Sequence, residues 1–258
     1  MPSFSRFILV IVVSLVSLAL AQTDERTLEL LEKLEHNERA SIDTVSMTVS
    51  FRGYVGFLAT ETKQHVVIDR ENHRLYIETY CNEMLSERLV YNQGKASIEA
   101  TNEDGIKILS AEQSRQLYEH FEAYLSGTYL YGIDETAVTY NGVKHYADLV
   151  EGEQITVEVT KPTFVAQPGE LLGLIFDEEM LTASILTIPD SGFILTVMKK
   201  YHRLSDSFFL VDADVYEYTP EDDQAVLRNK IRFTNIEFNQ LVEDSLFALE
   251  TPIRSWLH

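Results

Sequence analysis

Short runs of alternating apolar and polar residues recur from residue 44 almost to the end of this 258-residue chain. In TVSMTVSFRG, Val45, Met47, Val49 and Phe51 fall on one side and Ser46, Thr48 and Ser50 on the other. Successive side chains of a β-strand point to opposite faces, so this spacing predicts a half-buried strand. The pattern returns in QHVVID (Val66, Ile68), RLYIETY (Leu75, Ile77), KASIEAT (Ala96, Ile98, Ala100) and QITVEVT (Ile155, Val157, Val159). It continues in LLGLIFDEEMLTASILT, FILTVMKKY, SFFLVDADVYEY and VLRNKIRFTNIEF, and Tyr54–Leu58 reads as a short strand of its own. Turn formers separate the runs: Asn92-Gln93-Gly94, Asn102-Glu103-Asp104-Gly105, and Asn141-Gly142, which predicts a tight hairpin turn. The sum is about ten or eleven antiparallel strands.

Helical spacing occurs twice. In TDERTLELLEKLEHNERASI, Leu28, Leu31 and Leu34, helped by Leu30, make one apolar stripe, and Thr23 or Asp24 can cap its start. In SAEQSRQLYEHFEAYL, Ser110 and Gln113 form a capping box, and Leu117, Phe121 and Leu125 recur at i, i+4, i+8. A sheet of so many strands twists and must curl, close or split, and two amphipathic helices can cover its hollow side. The expectation is a mainly β (α+β) fold, a curved antiparallel sheet forming an incomplete β-barrel with both helices over the concave face. The C-terminal SLFALETPIRSWLH is read as an irregular return with Phe247 and Trp256 tucked in.

Residues 1–21 are read as a signal peptide. Arg6 is the only charge there, Phe7–Ala21 is apolar, and Ala19-Leu20-Ala21 is a small-x-small cleavage site. The apolar run is short for a membrane span, which takes ~20 residues. The mature chain, Gln22–His258, reads as a single domain without linkers or repeats. It carries 20 basic against 41 acidic residues, a net charge of −21. That balance excludes nucleic acid, whose binding rests on neutralising phosphates. Cys81 is the single cysteine, so no internal disulfide can form and packing must hold the fold. Cys81 itself is expected as a small buried apolar group.

Nothing in the sequence assembles a catalytic centre, a metal site or a cofactor site, and the chain is read as non-enzymatic. There is no G-x-S-x-G elbow and no H-E-x-x-H, and Gly94-Lys95 lacks the remainder of a phosphate loop. The seven histidines show no metal-ligand spacing. Asp212 and Asp214 share one side of a strand and could pair as acid and base. The preferred reading is a solvated strand face, with Phe209, Val211, Ala213 and Val215 buried behind it. Glu221-Asp222-Asp223 reads as a turn.

The order of elements adds a resemblance. An amphipathic helix precedes VSMTVSFRG, followed by VVIDRENHRLYI, ERLVYNQGKASIEAT, a second helix, LLGLIFDEEMLTASIL and finally RFTNIEFN. This resembles the bacterial outer-membrane lipoprotein-sorting family, the LolA-like periplasmic carriers, with Asn92-Gln93-Gly94 as the family's glycine turn and Asp177 in its strand–Asp–strand unit. The chain departs from the family at Arg70-Glu71, where Arg-Pro is common, and at Lys95-Ala96, where an aromatic follows the turn. Arg52 lies opposite Phe51 by period 2, so the family's lid-holding arginine is not assigned to it.

The resemblance implies a periplasmic carrier, a monomer that holds acyl chains of lipoproteins or lipids in an apolar cavity and exchanges them with membrane-bound export and receptor components. Exposing an acyl chain to water costs ~0.8 kcal/mol per methylene, or roughly 12 kcal/mol for sixteen carbons. A dry surface of similar extent is therefore required. The candidate lining is Val45, Met47, Val49, Phe51, Val66, Ile68, Leu75, Ile77 and Ile98 under Leu117 and Phe121, with Met47, Met180 and Met198 lending adaptability. The alternative is a sensor or protein-interaction module with a filled interior. Its working surface would be an outer one, such as an edge strand or the segment carrying Tyr124, Tyr129 and Tyr131. A hydrolase would need polar groups clustered in a cleft.

Overall fold

A computed structural model describes residues 25–34, 43–55, 58–102, 105–126, 138–160, 166–178, 180–188, 192–203 and 208–249. In chain order these form α1 (25–34), β1 (Thr44–Val55), β2 (Leu58–Asp69), β3 (Arg74–Cys81), β4 (Met84–Asn92), β5 (Lys95–Ala100), β6 (Lys107–Ile108) and α2 (Ala111–Ser126). They continue as β7 (Thr139–Tyr146), β8 (Val150–Glu158), β9 (Leu171–Phe176), β10 (Leu181–Ile188), β11 (Gly192–Arg203), β12 (Phe208–Thr219) and β13 (Gln224–Phe238). All thirteen strands belong to one sheet, ordered β6-β5-β4-β3-β2-β1-β13-β12-β11-β10-β9-β8-β7. The chain enters at the middle, runs outward to β6, passes through α2, resumes at the opposite edge with β7 and returns to pair β13 with β1. Both β6 and β7 keep a free edge in this order, so the barrel is incomplete.

The count exceeds the expected ten or eleven because Met84–Asn92 (β4) and the two-residue β6 are strands that the alternating runs did not mark, while one boundary moves. Tyr54–Leu58 is not a strand of its own: β1 continues to Val55, pairs Val55 with Leu58, and β2 begins there. Backbone pairing continues past the last alternating residue, so the hydrophobic pattern ends before the strand does. Asn141-Gly142 is not the hairpin turn either. It lies inside β7 at an irregularity in the β7–β8 register, and the turn is Ala147-Asp148, both at positive φ, closed by Leu149 N–H donating to the Tyr146 carbonyl at 2.9 Å. Aspartate tolerates that left-handed backbone, and cross-strand packing outweighs the local preference of Asn-Gly. Gln93-Gly94 does form its predicted turn, with both residues at positive φ.

One continuous core fills the inner face. It joins Leu30 and Leu34 of α1, residues of strands from both halves of the sheet, and Tyr118 of α2. That single cluster can form only if the sheet curls around it and the helices cover the hollow. On α1 the buried pair is Leu30 and Leu34 with Leu31 beside them, while Leu28 is 61% exposed. The expected stripe is thus rotated, because i, i+4 rather than i, i+3 positions face the sheet. On α2 the capping box is present: Ser110 Oγ accepts the Gln113 N–H at 3.3 Å, and Gln113 Oε1 accepts the Ser110 N–H at 3.1 Å.

Two smaller clusters cover the outer face. The tip of the β7–β8 hairpin folds across β9–β12, packing Tyr146, Leu149 and Val150 on Ile175, Ile185, Leu195 and Val197. Gly152 permits the fold, since a Cβ there would lie 2.3 Å from the Phe176 carbonyl oxygen. Beyond β13, the 3-10 turn Asp244–Phe247 seats Phe247, fully buried, on Val67, Tyr76 and Val90. Arg74 stacks over that ring at 4.4 Å while paired with the buried Asp69. Trp256 lies outside the described residues.

Candidate functional site

Strand register arranges the inner face into rows. Met47 pairs with Val66, Val66 with Ile77, Ile77 with Leu89, and Leu89 with Ile98. Two residues along each strand, Val45, Ile68, Leu75, Tyr91 and Ala96 form a second row. Each row crosses β1 to β5, about 19 Å at ordinary strand spacing. Together they form a broad apolar strip running across the strands.

The sequence-derived lining falls in this one cluster. Val45, Met47, Val49, Val66, Ile68, Leu75 and Ile77 are no more than 2% exposed, and Phe51, Ile98, Leu117 and Phe121 are partly buried against them. The side chains fall into two groups: a closed floor on β1–β3, and partly buried apolar groups contributed by β1, β5 and α2. Met198 joins the same core, whereas Met180 is in the β9–β10 turn, its N–H donating to Asp177 Oδ1 at 2.8 Å. Tyr129 and Tyr131 lie outside the described residues, as does the side chain of Tyr124.

Three contributions escape the sequence pattern. Tyr118, not Leu117 or Phe121, is the most buried α2 side chain of the three, stacked on Tyr91 at 4.5 Å. Ser114 anchors the same helix: its Oγ accepts the Ala96 N–H at 3.0 Å. The other half of the inner face is equally apolar, through Leu172, Leu174 and Phe176 on β9, Leu186 on β10 and Phe233 on β13. Within it sits a polar pair. Ser184 and Thr196 are cross-strand partners, each 1% exposed, and Ser184 Oγ has no hydrogen-bond partner among the described residues.

Further along β2 and β3 the inner face turns polar, with Gln64 Nε2 donating to Thr79 Oγ1 at 3.4 Å. Cys81 ends this stretch and is exposed, contrary to the expected burial. The cause is its position as the last residue of β3, before Asn82 and Glu83 turn the chain at positive φ. Its Sγ lies 3.6 Å from Ser86 Oγ.

α1 is fastened to the sheet by charge. Arg26 donates to Glu29 and, through two nitrogens, to the Glu153 carboxylate on β8, which also accepts the Tyr140 hydroxyl at 2.7 Å. Hydrogen bonding from Arg26, against a smaller opposing effect of burial, holds the Glu153 carboxyl below its ordinary value. At the other end Lys33 donates to the Glu178 carbonyl at 2.8 Å.

The carboxylates of β12 face outward. Phe209, Val211, Ala213 and Val215 belong to the inner core, as the alternation predicts. Asp212 pairs with Arg232 at 3.4 Å, while Asp214, 9% exposed, accepts the Tyr216 hydroxyl at 3.4 Å. Asp214 is therefore more enclosed than a solvated face implies. Asp223 in the following turn accepts both the Ala147 N–H and the Tyr218 hydroxyl at 2.9 Å.

No protein-family model matches the sequence, and no curated relative matches it. Solved structures do match. A DUF1329 family protein from Desulfovibrio piger superposes with a TM-score of 0.50 at 8% identity, covering 84% of this chain and 94% of that one. A domain from Vibrio parahaemolyticus, provisionally described as outer membrane lipoprotein-sorting, gives 0.52 at 7% identity over 86% and 96%. The LolA superfamily protein NE2245 from Nitrosomonas europaea gives 0.50 at 9% identity over 84% and 96%. At such identities the likeness is one of fold: this chain is similar in fold to the LolA superfamily, an unclosed, curved antiparallel sheet with helices over its hollow.

Proposed function

We propose that the protein is a non-enzymatic periplasmic carrier that holds acyl chains of lipids or lipoproteins against its inner face. The leader is cleaved after Ala21, and the mature chain exchanges its load with membrane-bound export and receptor components. The observation that carries this reading is the pair of apolar rows across β1–β5, edged by the partly buried Phe51, Ile98, Leu117 and Phe121. A bound chain would lie across the strands, beneath α2 and beside α1. The fold similarity to a lipoprotein-sorting domain is consistent with it.

The floor residues touch no water-filled space at 0–2% exposure. Loading therefore requires α1 or α2 to lift, and for α1 the Arg26–Glu153 and Lys33–Glu178 contacts are polar links that must open. A module with a permanently filled interior would show the same burial, so the decisive comparison is chemical. Mature protein purified from cells is extracted with organic solvent and the extract examined by lipid mass spectrometry. Stoichiometric acyl lipid, lost in Phe51→Asp and Ile98→Asp variants that remain folded, is the expected result. An empty extract from folded protein that also fails to take up added fatty acid removes the carrier reading and leaves the interaction module.

A further inference from the structure

The outer face holds a crevice that the carrier reading does not use. Where the β7–β8 hairpin folds over β9–β12 it leaves a space of about 270 Å³, lined by Tyr146, Gln154, Gly173, Thr187, Phe193 and Tyr218 among others. Gly173 forms the floor. A Cβ there would lie 2.6 Å from Ile185 Cγ2 and 2.7 Å from Gln154 Nε2, so the missing side chain is what lets the Gln154 amide lie across the strand. The walls are aromatic: Tyr146 meets Tyr218 edge-on at 5.4 Å, and Phe193 meets Tyr218 at 6.3 Å.

The polar groups set the ligand's chemistry. Among the described residues no charged side chain lines the crevice, so a charged ligand would lose its hydration with no partner from them in return. Both phenol protons are already committed, Tyr146 to Gln154 Oε1 at 2.5 Å and Tyr218 to Asp223 Oδ1 at 2.9 Å. Burial raises both phenol pKa values. Tyr218, with its bond to Asp223 adding to burial, is pushed up to about 12. The two hydroxyl oxygens therefore remain neutral and can only accept. Gln154, 8% exposed, uses one Nε2 proton on Thr156 Oγ1 at 3.3 Å and keeps a second. An apolar cavity of ~150 Å³ already holds benzene, so a two-ring molecule has room here.

We propose that this crevice binds small, neutral, flat aromatic molecules bearing one N–H or O–H donor, of the indole and phenol class. The site is independent of acyl binding on the opposite face. The test is a titration of the mature protein with indole, followed by ¹H–¹⁵N NMR. Saturable shifts confined to the Gln154 side-chain amide, Gly173 and the neighbourhood of Phe193 and Tyr218 are expected. Thr187→Phe puts a ring into the crevice from its exposed rim and should weaken binding by about tenfold or more with the protein's spectrum otherwise retained. Indene, which has the same shape without the N–H, should bind about three- to tenfold more weakly than indole. Absent or non-saturating shifts, shifts centred elsewhere, or indole binding unchanged in folded Thr187→Phe overturn the site. Indene binding as tightly as indole overturns the assigned ligand chemistry.

Discussion

Ser114 Oγ, fully buried on α2, accepts the Ala96 N–H at 3.0 Å and donates to the Ser110 carbonyl at 2.8 Å. Ser184 Oγ, also buried, has no partner among the described residues. The same substitution should therefore act in opposite directions at the two sites. Ser114→Ala leaves a buried strand N–H unsatisfied and should cost about 1–3 kcal/mol, lowering the urea midpoint. Ser184→Ala removes a hydroxyl that gained nothing on folding and should raise stability by about 1 kcal/mol. Equal losses at both positions would contradict these hydrogen-bond assignments. Neither serine stands out in the sequence. A hydroxyl in a helix next to charged neighbours reads as exposed, and one within LTASILT reads as the polar half of an alternation. Only the fold places Ala96 N–H under the one and Leu174 beside the other.

α1 is the element whose docking depends on pH. Glu153 has its carboxyl lowered, first by the hydrogen bond from Arg26, from an ordinary value of 4.5. A carboxylate of lower pKa in the folded state binds fewer protons there than in the unfolded state. Its contribution is complete above about pH 4.5 and is lost as pH falls through the lower folded value. Amide exchange within residues 25–34 should accelerate below pH 4 relative to pH 6, normalised to intrinsic rates. Glu153→Gln should show fast exchange at both pH values. If α1 in that variant is as protected at pH 6 as in the wild type, the link does not fasten the helix. The two helices were visible in the sequence as apolar stripes, yet of the α1 stripe Leu30 and Leu34 are buried with Leu31 beside them, while Leu28 is exposed. The stripe of a short helix fixes a face only to within a residue, and the partner surface decides the rest. The capping box of α2 was readable because both of its hydrogen bonds lie within four residues.

Across the molecule, the N-terminal half of the sheet was legible and the C-terminal half less so. In β1 period 2 separates buried from half-buried residues cleanly, and the inner residues of β2 and β3 stay readable although Phe247 also covers Val67 and Tyr76 on their outer face. Strand β9, LLGLIF, is covered on both sides, by the inner core and by the folded-over hairpin, so Leu172 and Leu174 alternate with Gly173 and Ile175 and the period disappears. The inner lining of β9 was missed for that reason, whereas that of β12, from Phe209 to Val215, was read from its alternation. Curvature was inferable from strand number alone, but the pairing of β1 with β13 was not, because it joins residues nearly two hundred positions apart. Whether the apolar rows of β1–β5 receive an acyl chain is read by a fatty acid carrying a diazirine at its methyl end, crosslinked to the mature protein by light and mapped by peptide mass spectrometry. Labels on Phe51, Ile98, Leu117 or Phe121 and the adjoining rows are predicted. Labels confined to the outer face, or no saturable labelling of folded protein, would contradict acyl binding at those rows.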